Sequence, residues 1–236
     1  SNIKMSSYCF INIPQISINE WHPFSISNSI YSTSTVFYIK NMFNNSFSHK
    51  INKLSNCNIH PNNITINIEG PYGYNLNYND YTKIIFIAGG IGITPIHNMF
   101  FTLYKHRLNS TNNNSNNIIP ELELIWIARK ADAFTLYTDS FRMFKQHPID
   151  NMFIKLFATR ERGSIASHND LIQNRHNKHS ITHINCISQR PNLFKELSHL
   201  NEYNNNALIY VCGPDSLVED LTIIAYKNGN HIRRET

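Results

Sequence analysis

Three short segments carry residue types whose spacing could do chemistry. Ala88-Gly89-Gly90-Ile91-Gly92-Ile93-Thr94-Pro95 leaves a continuous apolar run and enters a helical pattern. Glycines there let the backbone turn sharply and approach a ligand closely. Thr94 has the side chain of an N-cap, and Pro95 suits a first helical position. The free N–H groups and dipole of such a helix start favour an anion such as a pyrophosphate. Pro95 stands where a GxGxxG pattern would have its third glycine, so a tight turn without a ligand is the bland alternative. Val211-Cys212-Gly213-Pro214 repeats the device and sets Cys212 at the carboxyl end of an apolar run. A buried, inert thiol is the commoner fate of such a residue. His22-Pro23-Phe24-Ser25-Ile26-Ser27 combines a fixed backbone, an aromatic face and two hydroxyls, as a planar heteroaromatic ring would need, or as a strand that merely starts on proline would show.

These segments need elements to position them, and the chain reads as two halves. Residues 1 to about 80 are β-like: Tyr8 to Ile13 and Thr35 to Lys40 are short apolar-rich runs, and Ile64 to Glu69 alternates strictly before Gly70-Pro71 closes it. From Tyr81 the pattern changes to alternating strands and helices. Strands are predicted at Ile84–Ala88, Glu121–Ala128, Met152–Ala158 and Ala207–Cys212. Helices are predicted from Pro95 to about Arg107, along Phe134, Tyr137, Phe141 and Phe144, over Leu193–Leu200, and through Leu217, Leu221 and Ile224. The aromatic stripe reads as core packing. This succession predicts a doubly wound α/β sheet, with ligands at the carboxyl ends of its strands. Asn109 to Asn117 reads as a surface loop.

Composition removes several classes. The 236 residues carry 21 basic and 16 acidic side chains, too diffuse a charge to point to nucleic acid. Asparagine supplies 35 residues and isoleucine 34, a bias that reads as compositional drift and not as function. No run approaches the ~20 apolar residues of a membrane helix, and the opening Ser1-Asn2-Ile3-Lys4-Met5 has no apolar signal region. Cys9, Cys57, Cys186 and Cys212 form no CxxC pair, so neither a zinc site nor a disulfide framework is expected, and a reducing compartment fits. His176, His179 and His183 would share a helical face, but β-branched residues interrupt it and no carboxylate is near to orient the rings; no metal site is expected. Ser25 has no G-x-S-x-G elbow, which speaks against a hydrolase.

The ordered set HPFSIS, EGPYG, AGGIGITP, RPN and VCGP resembles the cytosolic flavin domain of ferric-chelate reductases and NADPH oxidases, within the ferredoxin-reductase-like superfamily. The resemblance runs over nearly the whole chain. It implies an α+β two-domain arrangement: a partial antiparallel β-barrel for FAD over residues 1–80, then a doubly wound α/β NAD(P)-binding domain over residues 81–236. It also implies an NAD(P)H-dependent oxidoreductase in which a hydride passes to FAD and electrons leave singly. By motif position, His22, Pro23, Phe24, Ser25, Ile26 and Ser27 line the FAD, with Ser25 near its reactive nitrogen. Lys40 and Ser48 sit near the FAD phosphates. Gly70, Pro71, Tyr72 and Gly73, with Gly89, Gly90, Gly92 and Thr94, face the nicotinamide and pyrophosphate. Arg129 and Arg190 read the adenosine end, and Cys212, Gly213 and Pro214 flank the nicotinamide, with Ser25 and Cys212 as the catalytic pair.

Arg129, Lys130 and Arg190 favour NADPH, with NADH possible, because guanidinium and ammonium groups suit a 2′-phosphate. The family's barrel begins one or two strands earlier. Its usual Gly-Gln is Ser6-Ser7 here, its turn glycine is Phe43 and its Trp is Phe47. The expectation is therefore a piece of a longer membrane protein. A haem-binding membrane domain would lie upstream, this domain would face the cytosol, and electrons would end on ferric iron or oxygen. Alternatives are a soluble reductase serving a small carrier protein and a degenerate nucleotide-binding module without FAD.

Overall fold

In the computed structural model, residues 6–28, 33–57, 63–111, 120–160, 183–203 and 206–235 are described. Three strands, β1 (Ser6–Asn12), β2 (His22–Ser25) and β3 (Asn67–Tyr74), form an antiparallel sheet in the order β2-β1-β3. Helix α1 (Phe47–Ser55) packs against it and is capped by the Ser46 hydroxyl, which accepts from the His49 amide at 3.1 Å. The second sheet is wholly parallel, in the order β7-β6-β5-β4-β8-β9. Its strands are β4 (Lys83–Gly89), β5 (Glu121–Ala128), β6 (Met152–Ala158), β7 (Ile184–Ile187), β8 (Ala207–Cys212) and β9 (His231–Arg234). Helices α2 (Ile93–Thr111) and α3 (Thr138–Gln146) lie on one face, and the short α4 (Leu193–Glu196) and α5 (Asp215–Lys227) on the other.

Burial follows from the sequence period. Every residue of β4 from Lys83 to Ala88 is buried. Ile84, Phe86 and Ala88 join the cluster under α2 and α3, while Ile85 and Ile87 join the one under α5. Each of these isoleucines and the phenylalanine contributes about 1.5–3 kcal/mol, and the Ala88 methyl about 0.8 kcal/mol. The antiparallel part buries far less: its own cluster centres on Ile11, Ile13 and Phe47. It therefore leans on its contact with the parallel domain.

At the amino ends of the central strands sits a buried ionic group. Lys83 Nζ lies 2.5 Å from Glu121 and 3.4 Å from Glu123, and Lys155 Nζ lies 2.9 Å from Glu123 and 3.0 Å from Glu196. Burial works to raise the Glu123 pKa. The His199 hydrogen bond and the two lysines outweigh it and hold the carboxyl down at about 2.

Several expectations are corrected. Gly70-Pro71 does not close a strand; β3 runs through it, with a register shift opposite Tyr8 and Phe10. Thr35–Lys40 forms no strand, because the amide of Ser27 to the Val36 carbonyl is its backbone bond to β2's exit, and the Asn28 side chain takes the Val36 amide. Helix α2 starts at Ile93, straight out of the 3-10 turn Gly90–Gly92, so Thr94 is no N-cap. Its hydroxyl is buried and donates to the Ile91 carbonyl at 3.2 Å. Asn109 belongs to α2, and residues 112–117 lie outside the described residues, as do His176 and His179. Strands β7 and β9 and helix α1 were not expected; the first two are only four residues long and interrupted by polar residues, and α1 sits in a stretch read as β-like.

Candidate functional site

Strand order reverses beside β4: β5, β6 and β7 lie to one side and β8 and β9 to the other. The carboxyl ends of β4 and β8 therefore frame the crevice where open α/β sheets bind ligands. The turn after β4 is pinned by the Trp126 indole, which donates to the Gly90 carbonyl at 2.9 Å. Gly90 adopts φ 59°, in the left-handed region. Gly92 lies against β8: a Cβ there would stand 2.3 Å from the Cys212 carbonyl oxygen and 3.1 Å from its Sγ. Only a hydrogen fits, so the two loops close on each other.

From this floor opens a cleft of about 1350 Å³. That exceeds the ~300–1,000 Å³ of ordinary small-molecule sites and suits an elongated ligand. Gly89, Gly90 and Gly92 line one end with Cys212, Gly213 and Pro214. Arg129, Lys130 and Arg190 line the other, and Lys40 and Met42 reach it from the antiparallel part. Arg160 also lines it. The β5 and β6 ends continue their pairing past Ala158, with the Arg160 amide donating to the Arg129 carbonyl at 2.9 Å, so two arginines stand side by side. The sequence signal was available: Thr159-Arg160 directly follows a strand, just as Arg129-Lys130 does. Phe194, 53% exposed, adds an aromatic surface at the same rim.

Cys212 is half-buried, and its thiol is pushed up to about 11 by burial first and the Glu235 carboxylate second, against Arg234. It is a neutral thiol at ordinary pH and not an activated nucleophile. Glu235 accepts hydrogen bonds from Ser6 at 2.5 Å, from Tyr74 at 3.2 Å and from Tyr210. The Arg233 guanidinium lies 4.1 Å from the Tyr74 ring centre. Sequence reasoning missed this clasp between β9 and the antiparallel sheet.

The hexapeptide at 22–27 is split by the strand pleat. Ser25 stands opposite Tyr8, and Tyr8 opposite Tyr72, so these three form one row across the sheet. Tyr8, Phe10 and Tyr72 have ring centres 5.7–5.8 Å apart, and Tyr72 is 39% exposed: an aromatic face beside the Ser25 hydroxyl. Exposed Pro23 lies opposite Phe10 on this face. His22 and Phe24 point the other way, the former stacked on Phe47 at 4.2 Å and the latter packed on the Ile11 cluster. Phe24 therefore lies on the opposite face from Ser25. Ile26 and Ser27 are buried against the parallel domain. Ser48 is occupied as well, accepting from the Met42 amide at 3.2 Å and bonded to Ser46 at 3.1 Å. In β3, Gly73 has φ 126°, and a Cβ there would collide with the Ser6 carbonyl at 1.7 Å; Gly70 and Pro71 occupy the bulge beside it.

An antiparallel sheet with an aromatic face, joined to a parallel sheet with a glycine-floored, arginine-rimmed switch-point cleft, defines a two-domain module for a flavin and a pyridine nucleotide. Comparison with known proteins agrees. The chain belongs to the ferric reductase NAD-binding domain family, whose model matches residues 81–225, and an FAD-binding domain model matches residues 1–75. Ferric reduction oxidase 8 of Arabidopsis thaliana is 40% identical over 46% of this chain and 16% of its own length. A superoxide-generating NADPH oxidase heavy chain of Dictyostelium discoideum is 26% identical over 93% of this chain and 34% of its own. The chain thus spans about a third or less of these relatives. A ferredoxin-NADP+ reductase from Plasmodium falciparum, solved with 2'P-AMP, shares the fold at TM-score 0.64 and 19% identity, covering 99% of this chain and 83% of that one. The chain is an FAD/NAD(P)H electron-transfer module.

The residues fit both groups. The glycine floor leaves a cradle that a Cβ would fill, and the rim gathers cations for phosphates. The aromatic face offers a ring surface with a hydroxyl beside it.

Proposed function

We propose that this module oxidises NADPH and passes electrons through FAD to a haem in a membrane domain of a longer polypeptide, and from there to ferric iron or oxygen. Its relatives' names support the two acceptors, since they include ferric reduction oxidases and a superoxide-generating NADPH oxidase. Among the described residues no helix is long and apolar enough to cross a membrane, so the haem would lie in another part of the protein. The single observation that carries the reading is the switch-point crevice, where Gly92 and Cys212 meet at one end of a cleft whose other end holds Arg129 and Arg160.

Bound together, the two groups supply hydride transfer on the nicotinamide side and single-electron release on the other. The chain's own residues bind and orient. Gly89, Gly90 and Gly92 let the backbone approach the pyrophosphate, and the α2 start offers its dipole. Arg129, Arg160 and Arg190 hold the adenosine phosphate, with bidentate geometry available to each guanidinium. Cys212 shapes the nicotinamide end as a neutral group. Ser25 offers a hydroxyl at the flavin edge, and Tyr8 and Tyr72 shield that face from water. Lys40 carries a positive charge toward the FAD phosphates.

The test is reconstitution. Purified chain mixed with FAD should acquire bound flavin absorbance, and NADPH should bleach it in the absence of oxygen. Ferric chelate should then restore the colour. A chain that binds NADPH but never retains flavin overturns the reading in favour of a nucleotide-binding module.

A further inference from the structure

Two consecutive polar residues in the buried first turns of α2 have no place in the chemistry above. His97 is 4% exposed and Asn98 fully buried, between Ile96 and Met99. Burying such groups costs stability unless they are hydrogen-bonded, and an apolar pair would pack at no such cost. Each sends one side-chain nitrogen to the other domain. The Asn98 amide donates to the Ile26 carbonyl at 3.1 Å, and His97 Nδ1 bonds the Ser27 carbonyl at 2.8 Å. A carbonyl only accepts, so Nδ1 carries the proton, and Nε2 accepts from the Ser140 hydroxyl at 2.9 Å. Burial holds His97 down at about 3, so this neutral tautomer persists at all working pH.

The lock is complete on the strand side. The Ile26 amide donates to the Ser7 carbonyl at 2.8 Å and the Ser27 amide to Val36 at 2.9 Å, so all four backbone groups after Ser25 are fixed. The Ser27 hydroxyl bonds the Tyr137 phenol, whose ring stacks on His97 at 3.8 Å. Tyr137 ends the turn that follows Arg129 and Lys130. On the helix side, His97 is about one turn, ~6 Å, from the α2 start that abuts Cys212. One rigid helical turn thus links the Ser25 row to the Cys212 crevice.

We propose that His97 and Asn98 are positioning residues, locking the exit of β2 to α2 and so setting the separation and angle between the Ser25 face and the Cys212 crevice. The inference rests on the FAD/NADPH reading above. His97, Asn98, Ile26 and Ser27 do not line the large cleft, so the lock acts on the alignment of the two rings and not on NADPH binding.

The experiment uses His97→Leu, Asn98→Leu and the donor-keeping His97→Gln in the full chain. One arm needs no cofactor: hydrogen exchange of the unloaded chain. The leucine variants should lose protection at residues 22–28 while β4, β5 and β6 keep theirs. The other arm is stopped-flow bleaching of the FAD-loaded chain by NADPH. A ~1 Å misplacement costs up to about 10²-fold in rate, so a fall of that order is expected, with NADPH dissociation constants within about twofold and partial recovery in His97→Gln. Unchanged exchange at 22–28, or protection lost evenly across both sheets, overturns the lock. A rate loss matched by equal loss of NADPH affinity overturns the positioning role. If the wild type itself binds both nucleotides but shows no bleaching, the functional reading falls, and the exchange arm alone still decides whether the lock exists.

Discussion

Replacing Gly92 by alanine would put a methyl carbon 2.3 Å from the Cys212 carbonyl oxygen and 2.7 Å from its carbonyl carbon. Real contacts of this kind rarely fall below 3.0–3.4 Å, so the two loops must part by about 0.7–1.1 Å. The obstacle is backbone, which cannot rotate aside as a side chain would. Overpacking of this sort costs about 1–3 kcal/mol. Against it stands the gain of about 0.4–1 kcal/mol from a less flexible unfolded chain. The clash wins, with a net loss of about 1.3 kcal/mol at the midpoints of the two ranges. For a chain of this length that lowers the melting temperature by about 3–5 °C. Gly90→Ala is the control: its Cβ would meet nothing within 4 Å, and its cost comes only from φ 59°, about 1–2 kcal/mol. Circular dichroism melts give the stabilities of both variants, and NADPH-driven flavin bleaching reports the geometry: Gly92→Ala should slow bleaching through displacement of Cys212. A Gly92→Ala chain that melts at or above the wild type and bleaches at its rate would refute the close approach of the two loops.

Three further outcomes follow from the same geometry. Glu123→Gln removes the buried carboxylate that Lys83 and Lys155 share, and because Lys83 keeps Glu121 and Lys155 keeps Glu196 the loss is that of charged hydrogen bonds, about 1.5–3 kcal/mol, read by urea unfolding at pH 7. Because the Glu123 pKa is lowered in the fold, its contribution is complete above the ordinary carboxylate pKa of 4.5 and is lost as pH falls toward about 2; a variant whose deficit is the same at pH 7 and pH 2.5 contradicts this. Alkylation by iodoacetamide should label exposed Cys57 first, with Cys212 reacting only as pH approaches about 11; peptide mass mapping at pH 8 checks the order, and early Cys212 labelling would mean a thiolate. Arg129→Ala and Arg160→Ala should each raise the KM for NADPH by tenfold or more, the worth of roughly 1.4 kcal/mol, and the KM for NADH little; equal effects on both nucleotides would remove these arginines from the 2′-phosphate.

The parallel domain was legible because its strands are buried on both faces and its helices carry a 3.6-residue period. Glu121–Ala128 and Met152–Ala158 match to the residue. The glycine turn and Val211-Cys212-Gly213-Pro214 were also legible, since punctuation of that kind marks a chain that must bend next to something. Local sequence misled where contacts are non-local. Gly70-Pro71 reads as a stop, yet β3 continues because a bulge against β1 absorbs the irregularity. Phe24 reads as a ring platform, but the pleat turns it toward Phe47, and Tyr8 and Tyr72 from other strands supply the aromatic face. Thr94 reads as a cap, but the preceding 3-10 turn already starts the helix. Arg160, Glu235 and the His97–Asn98 pair gain meaning only once strand order brings them beside their partners.

The strand order has a consequence for the birth of the molecule. Central β4 borders β8, more than a hundred residues later, and the cover over Ile85 and Ile87 comes from Leu197, Leu200, Leu221 and Ile224. During synthesis the ribosome therefore delivers β4, β5 and β6 with one greasy side bare, and the lid arrives only with the last forty residues or so. Pairings of such long loop length form slowly, and unfinished chains of this kind are prone to clump. A nascent chain stalled before α5 should be a client of holding chaperones, released once the final helix and β9 emerge.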